Sequence, residues 1–176
     1  MAVHVLIDGY NFIRRSASLR VQDELALELG RDALLERLRQ YRRNRGHRIT
    51  VVFDAASKPL LAEEHSQQKG IKIIYSRQGE TADSVIKRIC HKEGRKLLVV
   101  TSDRELASFA ERFGSVAMDS VDFEAKMEMA LYLDSEGVEA ENEEKGWSPK
   151  KGTRKKGSAK RLSKKERKRR EKQRKL

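Results

Sequence analysis

Several things are scarce in this chain, and each scarcity removes a class of function. Its 176 residues include one cysteine, Cys90, so no internal disulfide can form, and Cys90 is read as a core residue. His4, His47, His65 and His91 are scattered, with neither metal-ligand spacing nor a base-and-nucleophile pairing, which argues against a zinc centre and against histidine-driven catalysis. No apolar run approaches the roughly 18 residues of a membrane span. The first one, Val3 to Ile7, is stopped by Asp8 too soon for a signal peptide, so a cytoplasmic location is expected. Neither Gly-x-x-x-x-Gly-Lys nor Gly-x-Gly-x-x-Gly occurs, which leaves no signal for a nucleotide hydrolase or a dinucleotide enzyme. No internal repeat is visible.

What is abundant is positive charge, and it is unevenly placed. From Lys145 to Leu176 there are seventeen Lys or Arg against two Glu, a net of +15 within a chain of net +12, which leaves residues 1–144 at −3. A like-charged block with almost no apolar residues cannot bury enough surface to offset its ordering entropy, so 145–176 reads as a basic tail, disordered in isolation. Ser163 to Lys175 within it is a candidate helix on a partner. Residues 1–134 suffice for one domain with a core, and the Glu-rich 135–144 reads as an acidic linker.

Inside the body, strand-like and helix-like segments alternate. Val3–Ile7, Ile49–Phe53, Ile71–Tyr75, Leu97–Thr101 and Val116–Met118 are short β-rich runs. This alternation predicts an α/β fold with a parallel sheet covered on both faces. After Gly79-Glu80-Thr81, the residues Ala82, Val85, Ile86, Ile89 and Cys90 make one apolar helical stripe ending at Gly94. A helix from Ser102, with Ser102-Asp103-Arg104-Glu105 as a capping box, is expected to bury Leu106, Ala107, Ala110 and Phe113. Another from Ser120 buries Phe123, Met127, Ala130 and Leu131. A less sharply bounded helix, interrupted by Gly30, uses Leu34, Leu38 and Tyr41 and ends at Gly46.

Three of the β-rich runs stop at a carboxylate: Asp8, Asp54 and Asp103. Parallel neighbours would bring these ends to one edge of the sheet, where open α/β folds place ligands. Asp83, in the first turn of its helix, is the fourth acid. An unpaired charge after a buried strand costs several kcal/mol, and crowded carboxylates repel unless a divalent cation neutralises them. Oxygen donors without thiol or imidazole companions select Mg²⁺ or Mn²⁺.

Ile-Asp-Gly-Tyr-Asn at 7–11, Val-Val-Phe-Asp at 51–54, Gly-Glu-Thr-Ala-Asp at 79–83 and Val-Thr-Ser-Asp at 100–103 stand in the order and spacing of one known family. In these motifs, covering about residues 1–134, the chain resembles the YacP-like branch of the NYN-domain ribonucleases, within the PIN-like superfamily. The resemblance implies a PIN-like three-layer α/β/α sandwich around a central parallel sheet, and metal-dependent endonuclease activity on RNA. It implies that Asp8, Asp83 and Asp103 are metal-site acids, with Asn11 the polar residue after the first strand and Asp54 the acid after the second. The tail lies outside the shared pattern.

The chemistry agrees with that implication. One or two cations held by Asp8, Asp83 and Asp103 can lower a water's pKa, withdraw charge from the phosphate and orient an in-line attack. Asn11 adds a polar contact without charge, and Glu80, Thr101 and Ser102 are candidates for the surrounding shell, with Ser102 also a helix cap. Tyr10 and Phe12 can stack an unpaired base or simply pack loops onto the core. Arg14, Arg15 and Arg20, expected in a long loop beyond Asn11, can hold phosphates. The expected function is therefore a Mg²⁺- or Mn²⁺-dependent endoribonuclease acting on RNA, with messenger RNA on the ribosome as the leading substrate. Two alternatives stay open: a non-catalytic RNA- or ribosome-binding protein acting through its tail, and a metal-dependent phosphatase. The second usually needs an acid two residues after the first carboxylate, where this chain has Tyr10.

Overall fold

In the computed structural model, residues 3–55, 62–135 and 164–174 are described, and the expected acidic linker at 135–144 lies outside them, Ser135 apart. Six strands form one sheet: β1 (His4–Asp8), β2 (Arg48–Phe53), β3 (Glu64–Gln68), β4 (Ile71–Tyr75), β5 (Leu97–Val100) and β6 (Val116–Met118). Their order is β3-β4-β2-β1-β5-β6, and every pairing is parallel except β3 with β4. The chain runs outward from β1 in both directions, so the crevice at the C-terminal end of β1 is the switch point where such sheets bind ligands.

Both faces of the sheet are buried, which is why its central strands read as unbroken apolar runs rather than alternating ones. Val5, Ile7, Val51, Phe53 and Val100 face one core, covered by α1 (Gly9–Arg15), α2 (Ala17–Leu25), α3 (Leu27–Arg45) and α6 (Ser120–Ser135). Leu6, Val52, Ile74 and Val99 face the other, covered by α4 (Ala82–Glu93) and α5 (Arg104–Arg112). This is the expected three-layer sandwich. Cys90 lies in the second core, where burial pushes its thiol up to about 11, so it is an apolar packing group.

Local differences from the sequence reading have physical causes. The stretch carrying Arg14, Arg15 and Arg20 is two short helices rather than a loop, because Asp8 and Ser16 each cap a new helix start through their side chains. α3 ends as expected at Gly46, whose left-handed φ of 63° suits a residue without Cβ. In α5 the cap is Asp103 and not Ser102: the Asp103 carboxylate accepts from the Glu105 and Leu106 amides. Phe113, expected in the core, is 38% exposed at the C-terminal end of α5. Strand β3 had no apolar signal, since Glu64, His65, Gln67 and Gln68 are exposed. Polar edge strands of this kind resist pairing with other chains.

Within the tail, Lys164–Arg174 forms helix α7, the segment expected to become helical on a partner. Its neighbour is the body itself: Lys126 Nζ donates to the Gln173 carbonyl at 3.0 Å, Lys172 Nζ to the Arg95 carbonyl at 2.6 Å, and Arg169 lies 3.6 Å from Glu111. Among the described residues no helix is long and apolar enough to cross a membrane.

Candidate active site at the C-terminal edge of the sheet

Asp8 is the last residue of β1 and the N-cap of α1, so one residue ends the central strand and starts the next helix. Gly9 makes that abrupt turn feasible, since a Cβ there would lie 2.3 Å from the Phe53 ring and 2.9 Å from the Val52 carbonyl. The Asp8 carboxylate accepts from the Asn11 amide at 3.5 Å and from the Thr101 hydroxyl at 3.4 Å. Burial pushes its pKa up to about 6, and the charges of Asp83 and Asp54 push the same way, against the hydrogen bonds from Asn11 and Thr101. Three acids from β1, the end of β2 and the start of α4 therefore share one electrostatic neighbourhood.

Each of the other acids has a second tie. Asp54 Oδ1 accepts from the Ala82 amide at 2.5 Å, drawing the start of α4 toward the end of β2 and setting Asp83 beside the crevice. Asp83 forms an i,i+4 ion pair with Lys87 at 3.0 Å, and Lys87 also reaches Glu105 at 3.3 Å. Asp103 is exposed and spends Oδ1 on the first amides of α5. Thr101 connects the two ends of this arrangement, its Oγ1 accepting from the Asp103 amide at 3.1 Å while donating to Asp8. Asn11 is fixed from behind: its Oδ1 accepts from the Ser102 amide at 2.9 Å and the Ser120 hydroxyl at 3.1 Å.

The fit to a metal follows from these contacts. The donors are oxygens only, and the raised Asp8 pKa marks a neighbourhood in which added positive charge is favourable. Among the described residues no three acidic, His or Cys side chains converge at liganding distance, and Lys87 provides the positive charge nearest to Asp83.

Several expected site residues do other work. Glu80 turns away from the crevice to pair with Arg88 at 2.6 Å and Arg77 at 3.5 Å, so the structure does not bring it into the surrounding shell. Ser102 contributes through its amide to Asn11, and its hydroxyl accepts from the Ser120 amide at 3.4 Å. Tyr10, 5% exposed, packs edge-on against Phe53 at 5.1 Å and offers no open face for a base. Phe12 is likewise buried, against Phe123. Arg14 and Arg15 are exposed on α1, with Arg14 over the Tyr10 ring at 5.7 Å, whereas Arg20 lies on α2 beside Glu24.

Three residues enter that the sequence reading passed over. Lys87 was readable as the i+4 partner of Asp83. Ser120, the second anchor of Asn11, is 109 residues away and gave no local signal. Arg31 also gave none: only 8% exposed, it donates to the Tyr10 hydroxyl at 3.4 Å and lies over the Tyr75 ring at 5.7 Å, bracing the wall behind Asp8.

Comparison with known proteins identifies the family and the fold. The model of the YacP-like NYN domain matches residues 5–175, and the chain belongs to that family, whose fold is the PIN-like nuclease fold. Protein YacP of Bacillus subtilis (strain 168), described as uncharacterized, is 29% identical over 102 residues, 56% of this chain and 59% of that protein. The chain thus spans about three fifths of the length of this curated relative. The crystal structure of Rae1 (YacP) from Bacillus subtilis superposes with a TM-score of 0.63 at 25% identity, over 78% of this chain and 80% of that one. A single-site mutant of Rae1 gives a TM-score of 0.64 at 23% identity over 77% and 80%, a likeness of fold.

Proposed function

We propose that this member of the YacP-like NYN domain family is a divalent-metal-dependent endoribonuclease, with messenger RNA on the ribosome as its substrate. The observation that carries the reading is Asp8: a buried carboxylate at the switch point of a parallel sheet, held by Asn11 and Thr101 and pushed upward by two neighbouring acids. Folding tolerates such a group where function requires it. Asp8, Asp54 and Asp83 would hold Mg²⁺ or Mn²⁺, which supplies a water of lowered pKa and Lewis-acid charge at a phosphodiester. Asp103 has Oδ2 left over from capping and borders the same edge.

The chain's own residues set the stage. Asn11 orients Asp8 through its backbone amide, and is itself locked by Ser102 and Ser120. Thr101 holds the second Asp8 oxygen, Oδ2, while tying β5 to β1. Lys87 neutralises Asp83 in the resting protein and must give way, or move to a phosphate, when positive charge enters. Arg14 and Arg15 extend from α1, where an RNA backbone reaching Asp8 would pass. A body of net −3 has little long-range attraction for a polyanion, so delivery falls to the basic tail and to a phosphate-dense partner such as the ribosome.

The test is to incubate the purified chain with cellular RNA and with translating ribosomes, in Mg²⁺, Mn²⁺ or EDTA, and to map new RNA ends. New ends that need metal and vanish in Asp8→Asn support the reading. Binding without new ends under every metal would favour the tail-driven, non-catalytic alternative.

A further inference from the structure

At the opposite edge of the sheet the charge is reversed. Arg48 is the first residue of β2, and Lys96 immediately precedes β5 at the end of a 3-10 turn, Gly94–Lys96. Because these strands are parallel to β1, that edge lies one strand length from Asp8, about 13–20 Å for four to six residues. A groove of about 630 Å³ opens there, lined by Arg48, His91, Lys92, Arg95, Lys96 and Phe113. Among the described residues, Arg48, Lys92, Arg95 and Lys96 form no ion pair. The lining also holds one acid, Glu93, 3.1 Å from His4, whose pKa burial lowers, so the imidazole does not cancel the carboxylate's charge. Four cations thus share a concave surface with one carboxylate, leaving an excess of positive charge.

Phe113 gives this surface a second character. It is 38% exposed at the end of α5, with the His91 ring 5.2 Å and the Phe109 ring 4.7 Å away. An exposed aromatic ring beside an excess of cations suits an unpaired nucleotide, with a face for the base and charge for the phosphates. Duplex RNA would present phosphates and no free base, and an acidic peptide would leave the ring unused. Helix α7 borders the groove, since Lys172 donates to the Arg95 carbonyl; its eleven residues carry eight Lys or Arg and two Glu.

We propose that this groove is a second RNA site, which binds an unpaired segment with a base against Phe113 and phosphates on Lys92, Arg95, Lys96 and Arg48. The bound strand continues onto α7, so the tail serves as a fixed extension of the groove. The inference extends the nuclease reading, placing an anchor on the edge away from the acidic crevice, but its test needs no turnover.

The full chain is titrated in EDTA with a fluorescent uridine oligonucleotide containing one 4-thiouridine, and with a duplex of equal length. The wild-type protein should prefer the single strand and photo-cross-link to the Phe109–Phe113 segment. The triple variant Lys92→Glu, Arg95→Glu, Lys96→Glu should bind about tenfold more weakly near 0.1 M salt, with the slope of log K against log salt flatter by about 2. Phe113→Leu, which keeps apolar volume, should lose the cross-link and leave the slope unchanged. Wild-type affinity and slope in the triple variant would overturn the site. Duplex bound as tightly as single strand, with no cross-link at Phe113, would overturn the unpaired occupant. A protein that cuts RNA with metal but fails here loses only this inference; one that binds here and never cuts loses only the nuclease reading.

Discussion

Asp8→Asn should make the metal-free protein more stable, and by an amount that grows with pH. The ordinary value for this carboxyl is 3.8, and in the folded chain it rises to about 6. An acid whose folded pKa is raised binds its proton more tightly in the native state than in the unfolded one, so stability falls as pH climbs through the window between those values. Below 3.8 the carboxyl is neutral in both states and costs nothing. Above about 6 it is ionised in both, and the native state carries the whole cost of a buried, self-repelled charge. Linkage over that window puts the cost at about 1 kcal/mol at about pH 4.5 and about 3 kcal/mol at about pH 8. Asparagine has the same shape, can accept from the Asn11 amide through its one oxygen while its side-chain nitrogen donates to a reoriented Thr101 hydroxyl, and has no charge to desolvate.

Urea unfolding of both proteins in EDTA at the two pH values measures the difference directly. The variant should have the higher midpoint at both, with the larger gap at the alkaline end. Mg²⁺ should then narrow the gap, because a ligand that binds only the native state stabilises the wild type and finds an incomplete site in the variant. Equal stability at about pH 8, or a gap independent of pH, would refute the electrostatic account of Asp8. A gap that Mg²⁺ leaves untouched would retain the desolvation argument and remove Asp8 from the proposed metal set.

Asp103→Asn should keep α5 capped and change stability by only a few tenths of a kcal/mol, whereas Asp103→Ala should cost about 1 kcal/mol. Loss of RNA cleavage in the asparagine variant would then report on its free oxygen, and full activity would confine Asp103 to capping. Lys87→Met removes the cation paired with Asp83; half-activating Mg²⁺ should fall severalfold, and a rise would show that Lys87 works on the phosphate instead. Truncation before Lys145 should weaken ribosome or RNA binding and flatten its salt dependence, by a slope of about 4 if six single-strand phosphates are released. Turnover at saturating substrate should persist, and its loss with binding intact would place the tail in the active site.

How much of this was legible in the sequence depended on whether the cause was local. The parallel strands showed themselves because both faces are buried, so Val51, Val52 and Phe53 leave an unbroken apolar trace. Asp8, Asp54 and Asp103 stood out because each interrupts such a trace. Strand β3 left none, its place being set by a reversal at Lys69 and Gly70, both at positive φ, and by backbone pairing with β4. The division of labour among the acids was hidden for a further reason. An aspartate at a helix start is equally suited to capping and to ligation, and only packing decides: Asp103 meets two amides of its own helix, while Asp8 meets one amide, the Thr101 hydroxyl just past β5 and the charges of two other acids. Asn11 illustrates the same limit, since its anchors, Ser102 in the bend before α5 and Ser120 at the start of α6, are brought beside α1 only by the closed sheet. A carboxylate that ends a buried strand is therefore a stronger functional signal when its neighbours in space are other acids than when they are amides. By that criterion Asp8 is the residue on which the catalytic reading stands or falls.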